Sequence, residues 1–201
     1  MRSRRAPTLL IVLIVSLQAL VAGAQTKPAR SEAVVLPQGL VTYIPSPDRK
    51  WMLTFECPGY SGPRRLWIEQ SAVHKRRAVR EFERSASISW SPDSRSFFVT
   101  DDWGSNGSAS YVYDAVTLKV TDLANVVVAK DARAREYLRA GHSYLQAKRW
   151  INSHELLVRL FGHFYEPPPR GFRGSFTLQY RVDLKGTVEK ISERSAEDPG
   201  N

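Results

Sequence analysis

Two stretches of the chain share one spelling, SPDRKWMLTF at 46–55 and SPDSRSFFVT at 91–100. Each writes Ser-Pro-Asp, two polar residues and an apolar run, and Ser46 and Ser91 stand 45 residues apart. A second landmark keeps that offset: Leu66-Trp67-Ile68-Glu69 aligns with Tyr111-Val112-Tyr113-Asp114. Self-similarity at a fixed period marks a chain built from stacked repeats. Proline sets φ at about −65° and Asp bonds nearby backbone amides, so Ser-Pro-Asp reads as a turn. The flanking runs carry the β-branched and aromatic residues of half-buried strands. Ser-Pro-Asp is therefore a hairpin turn and not a catalytic Ser and Asp.

Each unit reads as a strand, the turn, a second strand, a polar loop, a third strand and a polar closing strand. Unit one spans about 40–85 and unit two about 86–124. A degenerate third unit spans about 142–192: Trp150 aligns with Trp90, Asn152-Ser153-His154 replaces the turn, and Tyr180-Arg181-Val182-Asp183 aligns with Tyr111-Val112-Tyr113-Asp114. Between units two and three, Leu123, Val127, Ala134 and Leu138, with Val126, Arg133 and Tyr137, recur at helical spacing, and Gly141 offers a stop. The sequence predicts one helix over about 125–140, making the fold mainly β with one inserted α-helix.

The Ser-Pro-Asp turn followed by a (W/V)-(I/Y)-(E/D) strand resembles the WD40-like repeat (PD40) of the TolB-type and prolyl-oligopeptidase-type β-propellers. The resemblance covers about 40–192. It implies propeller-blade-like units of four antiparallel strands and brings no catalytic residue with it. Arg49 and Ser94 stand where that repeat usually carries Gly. Closed propellers have about four to eight blades, and three units are readable. Two arrangements stand open: a capped open stack, or units completing a ring with another chain.

Arg2, Arg4 and Arg5 precede the apolar run 9–22, and Ala22-Gly23-Ala24 follows. This is the layout of a secretory signal peptide over 1–24. The run has 14 residues, against about 20 for a membrane-spanning helix; a retained anchor is the other reading. Ala6-Pro7-Thr8 after Arg4-Arg5 favours ordinary export over the twin-arginine route. The expected location is secreted or periplasmic, with no membrane span after cleavage. Residues 25–38 read as a linker, 39–192 as the β domain and 193–201 as a flexible tail.

With the three leader arginines set aside, 26 basic and 20 acidic side chains leave a net +6. That balance suits solubility and also an anionic partner. Cys57 stands alone, so no internal disulfide is possible. His74, His142, His154 and His163 show no metal-ligand spacing, and no cofactor motif occurs. Gly59-Tyr60-Ser61-Gly62 misses the nucleophile-elbow spacing and lacks its strand–turn–helix setting. HKRRAVREFER (74–84) reads as a charged edge strand, with Arg77, Val79 and Glu81 on one face and Arg76, Ala78, Arg80 and Phe82 on the other. It lacks the interleaved aromatics of a nucleic-acid surface.

Two non-repeating loops hold the candidate ligand-binding residues. One groups Asp101, Asp102, Trp103 and Asn106; the other, YEPPPRGFRG (165–174), carries Arg170, Phe172 and Arg173. The sequence predicts an exported, non-enzymatic binding or scaffold protein that contacts a protein or anionic envelope polymer through these loops. The alternatives are a glycan or peptide hydrolase using Asp101 or Asp102, which needs facing carboxylates, and a subunit completing a propeller in a larger complex.

Overall fold

The computed structural model describes residues 33–59, 62–165, 169–172 and 174–196. The leader (1–24), the linker residues before 33, Tyr60 and Ser61, Arg173 and the tail beyond 196 lie outside the described residues. The strands run β1 (Val34–Leu36), β2 (Val41–Pro45), β3 (Trp51–Glu56), β4 (Arg64–Gln70), β5 (Lys75–Phe82), β6 (Ser85–Trp90), β7 (Ser96–Asp102), β8 (Gly107–Asp114) and β9 (Val120–Asp122). Two helices, α1 (Leu123–Val128) and α2 (Ala132–Leu138), precede β10 (Gly141–Trp150), β11 (Glu155–Phe164), β12 (Ser175–Asp183) and β13 (Thr187–Ala196).

Three antiparallel, propeller-blade-like meanders result. Unit one is β2-β3-β4-β5, unit two β6-β7-β8-β9 and unit three β10-β11-β12-β13. β1, inside the segment 25–38 predicted as linker, adds to unit two beside β6. β13 reaches Ala196, so Glu193–Ala196, assigned to the tail by their polarity, are held in a ladder by β12. β8 and β10 join units two and three through a short parallel pairing, Ser143 with Gly107 and Tyr144 with Ser108.

The two Ser-Pro-Asp turns are built alike. Ser46 Oγ donates to Asp48 at 2.7 Å and accepts the Trp51 amide at 3.0 Å. Ser91 Oγ donates to Asp93 at 2.7 Å and accepts the Ser96 amide at 3.0 Å. Arg49 (φ 60°) and Ser94 (φ 63°) both take the left-handed conformation that glycine adopts without strain. The turns also touch, since the Asp48 amide donates to Ser94 Oγ at 3.0 Å.

The second landmark shifts by one residue. The ladders pair Thr54 with Trp67 and Val99 with Tyr111. Trp67, not Leu66, thus occupies the place of Tyr111. A slip of one residue turns a strand over, and Leu66 and Ile68 face unit two instead of the outer face.

Units stack face against face over two cores. Ile44, Leu53, Phe55, Leu66 and Ile68 of unit one close on Ile88, Trp90, Phe97 and Val99 of unit two. Phe98 and Val112 share the second core with unit three and the helices. Each junction carries an indole bond: Trp90 Nε1 donates to the Ile44 carbonyl and Trp150 Nε1 to the Ser89 carbonyl, both at 3.1 Å.

The predicted single helix is two. The Asp131 side chain accepts the Arg133 amide at 3.1 Å and starts α2 as a cap, as Asp122 starts α1 through the Ala124 amide. Asp131 also accepts the Tyr180 hydroxyl at 3.0 Å, which ties the break to unit three.

β5 is an edge strand, as its charge pattern predicted, but the expected alternation of its side chains is corrected. A bulge at Val79 brings Arg80 opposite Leu66 and Arg77 opposite Ile68, so both arginines face unit two. Arg77 donates to the carbonyls of Ala115 and Val116 at 2.9 and 2.7 Å. Arg80 pairs with Asp101 at 2.9 Å and lies over the Tyr111 ring.

Candidate binding face

β10, β11, β12 and β13 alternate inward and outward side chains. Leu156, Val158 and Leu160 of β11 and Leu178, Tyr180 and Val182 of β12 point into the second core. Their neighbours form the opposite face of unit three. Cross-strand pairing aligns these in rows: Tyr144, Phe161, Thr177 and Arg194 lie side by side, flanked by His142, His163, Ser175 and Ala196. A third row is Gln146, Arg159, Gln179 and Ser192.

A groove of about 790 Å³ runs along the first two rows. Tyr144 and Phe161 stack at 5.0 Å and form one wall. Ser175 and Thr177 provide a hydroxyl-bearing floor, and Arg194 stands exposed on the far rim. The His142 and His163 rings stack at 4.2 Å at the end of the groove. Partial desolvation and the neighbouring His163 hold His142 below its usual value, favouring the neutral ring. Arg159 lies 4.5 Å over Phe161, and its buried Nε has no hydrogen-bond partner among the described residues. Gly162 is demanded by the close approach of β10, since a Cβ there would stand 1.9 Å from the His142 carbonyl oxygen.

The residues singled out by sequence separate. Asp101 and Asp102 end β7, and their side chains leave opposite faces of the strand. Asp101 is 4% exposed and sits in the first junction against Arg80. Burial pushes its carboxyl above the usual range, and Arg80 offsets only part of that. Asp102 accepts from Ser85 Oγ at 3.1 Å. Trp103 is 48% exposed, with its ring against Gly107, where a Cβ would meet it at 2.4 Å. Asn106 uses its carbonyl to hold the Ser143 amide at 3.0 Å and its side chain to accept from Ser105. Tyr144 donates its hydroxyl to the Ser105 carbonyl, which anchors the 103–106 loop beside the groove.

In the second loop, Arg170 is exposed. Phe172 turns away from the groove and packs edge-on against Tyr137 at 5.0 Å, under the Arg133 guanidinium. The pairing of Gly107 with Ser143 and of Gly141 with Phe164 puts both loops at the same end of the molecule. Tyr144, Phe161 and Arg194 were not singled out by sequence, and His163 was weighed only as a metal ligand. Alternation in ELLVRLFGHF was the available signal for the face, whereas the row itself exists only through strand register.

Among the described residues no group of His, Cys, Asp and Glu is placed to hold a metal ion. No helix among them is long and apolar enough to cross a membrane.

No protein-family model matches the chain, and no curated protein matches it. Solved structures do. The β-propeller domain of the Trilobed protease from Pyrococcus furiosus, with an open velcro topology, matches at 18% identity and TM-score 0.49 over 77% of this chain and 44% of that one. TolB from Acinetobacter baumannii matches at 15% identity and TM-score 0.41 over 80% and 32%. The acylaminoacyl peptidase of Pyrococcus horikoshii matches at 15% identity and TM-score 0.40 over 72% and 22%. The chain spans less than half the length of each of these structures.

Proposed function

We propose that this protein is an exported, non-enzymatic binding module of propeller-repeat type whose contact surface is the open face of unit three. The observation that carries the reading is a difference between equivalent faces. The corresponding faces of units one and two are closed by the next unit, whereas no described unit closes that of unit three. Its fourth strand also lacks the clamps used in the first junction. Register places Ser192 where unit one has Arg80 and Glu189 where it has Arg77. The second junction closes without such clamps, so their absence leaves the propeller-completing alternative open. Unit one likewise has Pro45 in place of the junction tryptophan.

Geometry favours binding over a hydrolase built on Asp101 and Asp102. Asp101 is engaged with Arg80, and Asp102 leaves the other face of the strand. Export rests on the charged, apolar and small-residue layout of 1–24.

The test is site-specific photo-crosslinking in the source organism. A benzophenone amino acid at position 177, on the groove floor, is expected to yield discrete adducts with protein or envelope polymer. The same group at Val116, an exposed turn residue near the first junction, serves as control. Equal adduct patterns from the two positions overturn the assignment of the face.

A further inference from the structure

The groove chemistry narrows the ligand, on the premise that the open face of unit three is the contact surface. Cations and hydroxyls gather along it: Arg194 on the rim, Arg159 over the aromatic wall, and Ser175 and Thr177 on the floor. Among the described residues no carboxylate lines it. The described acids of unit three that form ion pairs or hydrogen bonds lie elsewhere. Glu155 and Glu189 pair with Arg181 towards the opposite end of the strands, and Glu193 faces the core side, where it accepts the Tyr137 hydroxyl. The floor strands β11 and β12 are paired along both edges. Across the floor an extended peptide finds no free backbone edge to add to; the outer strand β13 carries one, on the rim. Recognition across the floor runs through side chains.

We propose that the groove binds an acidic polysaccharide. A ring carboxylate is taken by Arg194 and Arg159 as charge-assisted hydrogen bonds. Sugar hydroxyls bond Ser175 and Thr177, and the apolar C–H surface of the ring packs against Tyr144 and Phe161. The neutral form favoured for His142 leaves its imidazole able to accept as well as donate, as sugar hydroxyls require.

The test is calorimetric titration of the purified protein with polygalacturonate and alginate. Dextran serves as the uncharged glycan, poly-L-glutamate as the non-glycan polyanion and phosphatidylglycerol vesicles as an anionic lipid surface. The expected result is binding to at least one polyuronate, with dextran silent and poly-L-glutamate and vesicles at least tenfold weaker. Arg194→Ala and Tyr144→Leu should each weaken polyuronate binding about tenfold. Arg181→Ala, which removes a cation from the far end of the same face, should leave it within twofold. The proposal is overturned if neither polyuronate binds, if poly-L-glutamate or vesicles bind equally well, or if Arg181→Ala weakens binding as much as Arg194→Ala. Adducts from position 177 without polyuronate binding would remove this ligand class and leave the face in place. Equal adducts from positions 177 and 116 would remove the face itself.

Discussion

The indole nitrogen of Trp150 donates to the main-chain carbonyl of Ser89 at 3.1 Å, across the boundary between units two and three. Trp90 makes the same bond to Ile44 across the boundary before it. Both rings are buried, at 3% and 2% exposure. Replacing either by Phe keeps an aromatic ring but removes a buried hydrogen bond across the junction, a loss of about 0.5–1.5 kcal/mol. Urea unfolding should show it for Trp90→Phe and Trp150→Phe. Trp103→Phe, on a half-exposed ring, should change stability by less than about 0.5 kcal/mol.

Arg49 and Ser94 share a left-handed conformation, yet they should respond differently to glycine. Arg49→Gly relieves that conformation and is expected to stabilise the protein by about 0.5–1 kcal/mol. Ser94→Gly relieves the same strain but removes the Oγ that accepts the Asp48 amide, so its net effect should be zero or destabilising. The urea midpoints of the two variants separate these outcomes; equal gains would show that the turn-to-turn bond contributes nothing.

Arg80 and Asp101 form a partly buried pair, with 29% and 6% of their side chains exposed. Arg80→Ala leaves a buried carboxylate without its partner and should destabilise by about 2–3 kcal/mol at pH 7, less than for a fully buried pair because the guanidinium reaches water. Asp101→Asn should cost less. Burial already raises the folded-state pKa of Asp101 above its unfolded value, and loss of Arg80 raises it further. An acid raised in this way is destabilising above its folded pKa, and the penalty disappears as pH falls through that value towards the unfolded one. The stability deficit of Arg80→Ala relative to wild type should therefore shrink between pH 7 and pH 4, measured by denaturant unfolding at each pH. A pH-independent deficit would contradict this account.

Gly162 separates structural from recognition effects at the groove. Gly162→Ala should destabilise by about 1–3 kcal/mol, because the added methyl collides with backbone and not with a movable side chain. Thr177→Ala, on the open floor, should leave the unfolding midpoint within about 0.5 kcal/mol. A thermal or urea comparison of the two decides the point.

Much of the fold was legible because the turn chemistry is local. Ser46 and Asp48 act within five residues of each other, so their spelling announced the hairpin and its recurrence announced the stacked units. The helix break was less legible: Leu123, Val127, Ala134 and Tyr137 keep a common spacing through it, and all four are buried as that spacing implies. Asp131 ends the run because its side chain caps a new helix while holding Tyr180, a partner 49 residues away. The candidate site was the least legible part. Asp101 and Asp102 are adjacent in sequence, but alternation sends them to different faces, and only the stacked neighbour decides which one is buried.

By itself, then, the sequence determined the units, their turns and the indole that marks each junction, since these depend on residues close together or repeated at a fixed interval. The tertiary structure decided strand register, the inward turn of Arg77 and Arg80, and the row Tyr144, Phe161, Thr177 and Arg194. The physical reason is the period of two in a strand: one bulge or a one-residue offset exchanges every inward side chain for an outward one. Which arginines clamp a junction and which line an open groove is thus fixed only when the strands pair.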